Sequence, residues 1–278
     1  MTRQARTLVL AIVVLLSPLV ATAQSPVEAR EAATSIVARV QRADYEGDRA
    51  ALQRLHDELT PLRSVTNDPR LVSRVRYWQG FALWRKAING FNEPPDPKAL
   101  EADLQEAIRE FEEALRQDPG FVDAKVGTIS CLGYLTFLHR NEPERVQELV
   151  PRVVQMLEDS LAAAPENPRL LWVQGPTLWY ARPGLSKSEV IERQALALGV
   201  YEKGLGLIRR QPGTVKDPLE PSWGEPELLM NLAWSNLNRA TPDVAAAEKY
   251  ATQALTLVPY WHYVRDILMA QIRSAKEK

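Results

Sequence analysis

The sequence holds one cysteine, Cys131, three histidines and thirteen glycines in 278 residues. A single thiol excludes an internal disulfide framework and any cysteine-based zinc site. His56, His139 and His262 stand far apart, and none sits in a His-Glu-x-x-His pattern, so no metal motif is present. Gly-x-Ser-x-Gly elbows, Gly-x-Gly-x-x-Gly loops and Gly-Lys-Ser/Thr phosphate loops are missing too. No cofactor is expected, and an enzyme is not the expected reading. Scarce glycine beside twenty prolines and abundant Ala, Leu, Glu and Arg argues for helices punctuated by proline. A formal charge of −1 gives no basic footprint for nucleic acid. What is present is ordinary globular material: 45% hydrophobic, 25% charged and 7% aromatic residues, which excludes wholesale disorder.

The first 23 residues read as an address. Arg3 and Arg6 form a basic start, Leu8 to Leu16 an apolar run, and Ala21-Thr22-Ala23 a small-x-small cleavage site. The apolar run falls short of the ~20 residues that a spanning helix needs. No cysteine follows it to carry a lipid anchor. The expectation is a mature chain of about Gln24–Lys278, periplasmic or secreted, with no stable membrane insertion after cleavage. Losing Arg3 and Arg6 takes its formal charge from −1 to −3.

Four prolines, Pro119, Pro165, Pro212 and Pro259, keep spacings of 46, 47 and 47. Gly80, Gly127 and Gly175 follow almost the same beat, at 47 and 48. Gln79-Gly80-Phe81-Ala82-Leu83-Trp84 matches Gln174-Gly175-Pro176-Thr177-Leu178-Trp179 at Gln, Gly, Leu and Trp. Together these predict repeats of about 47 residues, each a pair of helices. The clearest helix runs from Pro97 to Gln117. Leu100, Leu104, Ala107, Ile108, Phe111, Ala114 and Leu115 share one face, and Asp103, Glu106, Arg109, Glu110, Glu113 and Arg116 the solvated one. Asp96 suits the N-cap, Pro97 the first helical position, and Asp118-Pro119 the stop.

Ala107-x3-Phe111-x2-Ala114-x4-Pro119 resembles the second helix of a tetratricopeptide repeat. Ala247-x3-Ala251-x2-Ala254-x4-Pro259 is similar, and Val153, Leu157, Ser160 and Pro165 form a weaker copy. Ala197, Tyr201 and Gly204 form another, with Pro212 three residues late. Gly80 and Gly175 resemble the close-packing glycine of the first helix. The resemblance implies an all-α, right-handed superhelix of antiparallel helix pairs. Its units are longer than the family's ~34 residues, with the excess expected between the helices, at 88–102, 182–188 and 213–224. The expected plan is one domain of about eleven helices over 24–278. It has a leading pair at about 27–61, repeats over about 69–259 and a closing helix at about 260–276.

The resemblance also implies a concave groove that holds a partner. It places Tyr77, Trp84, Trp172 and Trp179 on that groove, with Trp234, Asn231 and Asn238 from the last unit and Arg85, Tyr180 and Arg182 near the rim. Tyrosine and tryptophan suit such a surface, combining apolar area, few rotamers and a polar tip. Core packing is the competing assignment for each tryptophan, and it is preferred for Trp78. Cys131 is expected to be a buried, inert thiol. The expected function is an exported binding scaffold for a protein or peptide partner. The alternative is a small-molecule-binding accessory of a solute transporter, loosely similar to the periplasmic tetratricopeptide component of tripartite ATP-independent transporters.

Overall fold

The structure, a computed structural model, describes residues 25–65, 67–94, 96–180, 184–210 and 217–277. The expected leader at 1–23, Arg182 and Pro212 lie outside these residues. Eleven α-helices, and no strand, are found among the described residues. They are α1 (Pro26–Glu46), α2 (Arg49–Leu59), α3 (Pro69–Gly90), α4 (Pro97–Gln117), α5 (Val122–Leu138), α6 (Pro143–Ala163), α7 (Pro168–Trp179), α8 (Lys187–Arg210), α9 (Glu225–Asn238), α10 (Val244–Leu257) and α11 (Met269–Lys276). A π-helical stretch, Tyr263–Leu268, leads into α11. No described helix is long and apolar enough to cross a membrane.

Local chemistry sets the boundaries. The Asp96 side chain accepts from the Lys98 and Ala99 N–H groups, and Pro97 fills the first position of α4. Asn167 caps α7 in the same way. Asp243, rather than the proline before it, caps α10. Gly47 ends α1 at φ 74, a left-handed conformation that a Cβ would strain.

In the α3–α4 unit the extra length over a short repeat comes from the helices, whereas the later units carry it in the segments 180–186 and 211–224. α3 has 22 residues and α4 has 21, with only 91–96 between them. Asn89-Gly90, expected to begin a loop, instead closes α3. A Cβ at Gly90 would stand 2.6 Å from a Leu100 methyl, so glycine here permits close helix packing.

Each helix packs on the next, and the odd-numbered helices α1, α3, α5, α7 and α9 also touch in series. They form an inner layer, with the even helices outside. α3 is therefore buried on nearly all sides, whereas α4 keeps one apolar stripe. The repeat positions face inward in every unit: Ala107, Phe111 and Ala114; Val153, Leu157 and Ser160; Ala197, Tyr201 and Gly204; Ala247, Ala251 and Ala254. The repeat glycines explain the fit. A Cβ at Gly127 would meet the Phe111 ring at 2.4 Å, one at Gly80 the same ring at 2.9 Å, and one at Gly175 the Tyr201 ring at 2.0 Å. Phe111 is thus clasped between the first helices of two units.

One sequence-based assignment fails on α4. Glu110, placed on the solvated face, is 4% exposed and accepts from Arg63 and Arg76 Nη1 at 3.2 and 2.7 Å. Arginines from neighbouring elements reach over the helix and cover it.

Candidate functional site

The inner layer has two ends with different chemistry. At the N-terminal ends of α1, α3 and α7 the chain supplies its own filling, the irregular segment 217–224. Three alternate carbonyls of this segment are read by side chains. Leu219 O accepts from Trp78 Nε1 at 2.8 Å, Pro221 O from Arg169 Nη2 at 2.5 Å and Trp223 O from Arg169 Nε at 2.7 Å. Arg30 pairs with Asp217, Arg70 and Arg74 with Glu220, and Gln41 Nε2 donates to Ser222 Oγ. Leu219 and Trp223 are buried. Trp223 Nε1 donates to the Tyr77 hydroxyl at 2.8 Å, and its ring meets Phe81, Trp84 and Trp172 at 6.1, 5.6 and 5.5 Å. The extended backbone is held much as a bound peptide is, by contacts to main-chain carbonyls with pockets for alternate side chains.

This filling corrects the expectation of an open aromatic groove. Tyr77 and Trp84 are fully buried, and Trp172 and Trp179 are 5% and 7% exposed. They are core, and beside Tyr77, Trp84 and Trp172 it is Trp223 that occupies the space the groove would have had. Trp78 is core as expected. Trp179 packs edge-on against the half-buried Trp234 at 5.4 Å. Asn238 is exposed and spends its amide on its own helix, donating to Trp234 O. Asn231 partners the Tyr201 hydroxyl.

At the C-terminal ends of α3, α5 and α7 lies a second arrangement. Arg85, expected at the rim, is 4% exposed and forms its floor. Its Nε donates to Asp44 Oδ1 at 2.8 Å, and Asn89 Nδ2 donates to the same carboxylate. Glu227 is a second buried carboxylate nearby, accepting from the Tyr45 hydroxyl and the Gly224 N–H, both at 2.7 Å. Burial works against the Arg85 charge, but Asp44 and Glu227 outweigh it and hold the guanidinium protonated. The guanidinium also lies over the Trp84 ring, 5.5 Å from its centroid.

Around this floor stand Tyr134 from α5, Tyr180 after α7, Tyr201 from α8 and Tyr263 ahead of α11. Burial pushes the Tyr134 and Tyr263 phenols up to about 12, and each phenol is raised further by Tyr180. Tyr180 is 58% exposed by area, yet surrounding protein still raises its phenol. No hydrogen bond is found for the Tyr134, Tyr180 and Tyr263 hydroxyls among the described residues. The Nε1 atoms of Trp84 and Trp172 are buried with no hydrogen-bond partner, and their ring centroids are 5.9 Å apart. Buried indole N–H groups are ordinarily paired, and an orphan costs about 1–3 kcal/mol.

Sequence reasoning found Arg85 and Tyr180 but missed Tyr134, Asp44 and Glu227. Counted from the repeat glycines, Arg85 and Tyr180 hold the same place, five residues after Gly80 and Gly175, and Tyr134 stands seven after Gly127. That frame was the available signal. The carboxylates had none, since Asp44 and Arg85 pair across 41 residues.

Other features carry less chemistry. Cys131 is buried, and burial pushes its thiol well up, so it is unreactive. Two surface hollows lie away from these tyrosines. One, of about 120 Å³, is lined by Glu46, Asn89, Glu93 and His262; the other, of about 260 Å³, by Ile191, Leu198 and Arg239. Among the described residues no group of three or more His, Cys, Asp or Glu side chains is placed to hold a metal. The fold and site together define an all-α array of helix pairs with a self-filled interior and a cluster of tyrosines near Arg85. Neither a family model nor a curated protein sequence matches this chain.

Proposed function

We propose that the protein is an exported, non-enzymatic binding scaffold of tetratricopeptide type, whose ligand is a small molecule held at the tyrosine cluster beside Arg85. The observation that carries the reading is the grouping of Tyr134, Tyr180, Tyr201 and Tyr263, from four separate elements, with Tyr134 next to the buried Arg85. Aromatic walls with a few convergent polar tips are the usual composition of small-ligand sites. The self-supplied segment 217–224 weighs against an extended peptide on the inner face, because its place is taken. The aromatic interior and the leader-like start support the accessory role in solute uptake over the adaptor role.

Native mass spectrometry of the protein purified without denaturation from its own envelope tests this. The expected result is a chain beginning at Gln24 that carries a small molecule, released on denaturation. A bare chain in complex with another protein would overturn the small-ligand reading in favour of an adaptor.

A further inference from the structure

We propose that the hollow beside Gly47 binds the primary ammonium group of a small molecule. None of the four tyrosines lines it, so the site goes beyond the reading above and stands or falls without it. Its volume is about 120 Å³. Its walls are Glu46 and Gly47 at the end of α1, Asn89, Asn92 and Glu93 at the end of α3, and His262 ahead of the closing helix. The His262 ring lies over Gly47, where an added Cβ would stand 3.2 Å from ring carbon Cδ2. The hollow therefore exists only where the first helix meets the far end of the array.

Asn89 shows what the hollow accepts. The residue is 8% exposed. Its Nδ2 is turned to the Asp44 carbonyl and carboxylate, at 3.1 and 3.2 Å. Both partners are acceptors, which fixes the orientation of the amide. Oδ1 is the polar atom left for the hollow, and it accepts no hydrogen bond among the described residues. A buried amide oxygen held in place with nothing to accept calls for a donor. The carboxylates add further acceptors. Arg42 takes Glu46 Oε1 and Arg49 takes Glu93 Oε2, both at 2.8 Å, which leaves Glu46 Oε2 and Glu93 Oε1.

Charge balance sets the charge of the ligand. Glu46 and Glu93 are cancelled by Arg42 and Arg49, Asp44 by Arg85, and Asp266 beside His262 by Arg265. What remains is two helix C-termini. α1 and α3 run for 21 and 22 residues, and neither has a basic residue in its last turn. Each helix end carries roughly half a negative charge, so the hollow is about one positive charge short. A carboxylate or phosphate would meet acceptors alone. A divalent cation would overshoot the balance. An ammonium brings one charge and three donors, which suit Asn89 Oδ1 and the two free carboxylate oxygens.

The test uses the full mature chain, labelled with ¹⁵N and followed by NMR. It is titrated with methylammonium, tetramethylammonium, potassium and calcium chlorides at constant ionic strength. Methylammonium is expected to shift the Asn89 side-chain amide and the Gly47 and Asn92 backbone amides saturably. Tetramethylammonium has the same charge but no N–H donor, and it should leave them in place, as should potassium. Glu93→Gln, at an exposed side chain, should keep the fold and weaken methylammonium about two- to fivefold, the share of one partly exposed charge pair. Glu144→Gln, on the exposed start of α6, should leave its affinity unchanged. The proposal is overturned if methylammonium moves none of these signals or if tetramethylammonium or potassium moves them as strongly. Tighter binding of calcium, or wild-type affinity in Glu93→Gln, would overturn it too. A molecule retained in native mass spectrometry alongside any of those results would leave the binding scaffold standing and remove only this site.

Discussion

Single side chains here act mostly through what surrounds them. Asp44 and Arg85 are both nearly sealed from solvent, so removing one strands the other. Asp44→Ala should cost about 3–5 kcal/mol in chemical unfolding. The double variant Asp44→Ala/Arg85→Met should recover part of that, because the pair leaves together, while Glu227 loses the Arg85 charge and keeps its Tyr45 and Gly224 donors. Strict additivity of the two substitutions would show that the pair is not coupled. Trp84→Ala belongs to the same scale. A groove residue would tolerate it, but a fully buried indole should lose about 3–5 kcal/mol. Gly127→Ala should also destabilise, by about 1–3 kcal/mol, because Phe111 is pinned from the Gly80 side and has nowhere to move. His139 gives a pH signature. Its hydrogen bond to Glu142, aided by Glu101, raises its pKa. The resulting stability is present below the unfolded value near 6.5 and is lost as pH rises through the higher folded value. The melting temperature of wild type should exceed that of His139→Gln by about 1–2 °C at pH 5 and match it at pH 8.

At the scale of elements, the segment 217–224 behaves as a further contact surface for the helices around it, although it has no regular structure. Arg169 carries much of this through two carbonyls and the Asp123 ion pair. Arg169→Lys keeps the charge but loses the forked geometry. Amide exchange should therefore accelerate at 219–224 while α5 and α6 keep their protection; unchanged exchange at the segment would mean that burial of Trp223 alone holds it. The contrast with α4 shows what a sequence can disclose. α4 is legible from end to end, because Asp96, Pro97 and Asp118-Pro119 act within one turn of the chain and its apolar stripe repeats at helical spacing. The length of α3 is not, since Asn89-Gly90 looks like a turn until Leu100 is packed against it. The filling by 217–224 is invisible for the same reason at longer range. Its partners Arg30, Trp78 and Arg169 lie 187, 141 and 54 residues away. Aromatic residues at helical spacing look identical whether they face an open groove or a strap of their own chain.

For the molecule as a whole, the decisive contact is between its two ends. Stacked helix pairs ordinarily touch only their neighbours, and their stability is close to a sum of local terms. Here α1 returns to the far end of the array. The Tyr45 hydroxyl donates to Glu227 at 2.7 Å across 182 residues, and the Tyr45 ring meets Trp261 at 5.0 Å. Arg42 lies over the Tyr260 ring, and Gly47 packs against His262. These contacts join the first helix to α9 and to the start of the closing helix, so loosening one end must loosen the other. Tyr45→Ala removes the ring and leaves Glu227 short of a donor, at an expected cost of about 3–5 kcal/mol. In hydrogen exchange, the loss of protection should appear in α9 and at 261–272 as well as in α1 and α2. Calorimetry should still show one transition. Faster exchange confined to α1 and α2, with the C-terminal helices unchanged, would mean that the pairs remain an array of local units despite the contact.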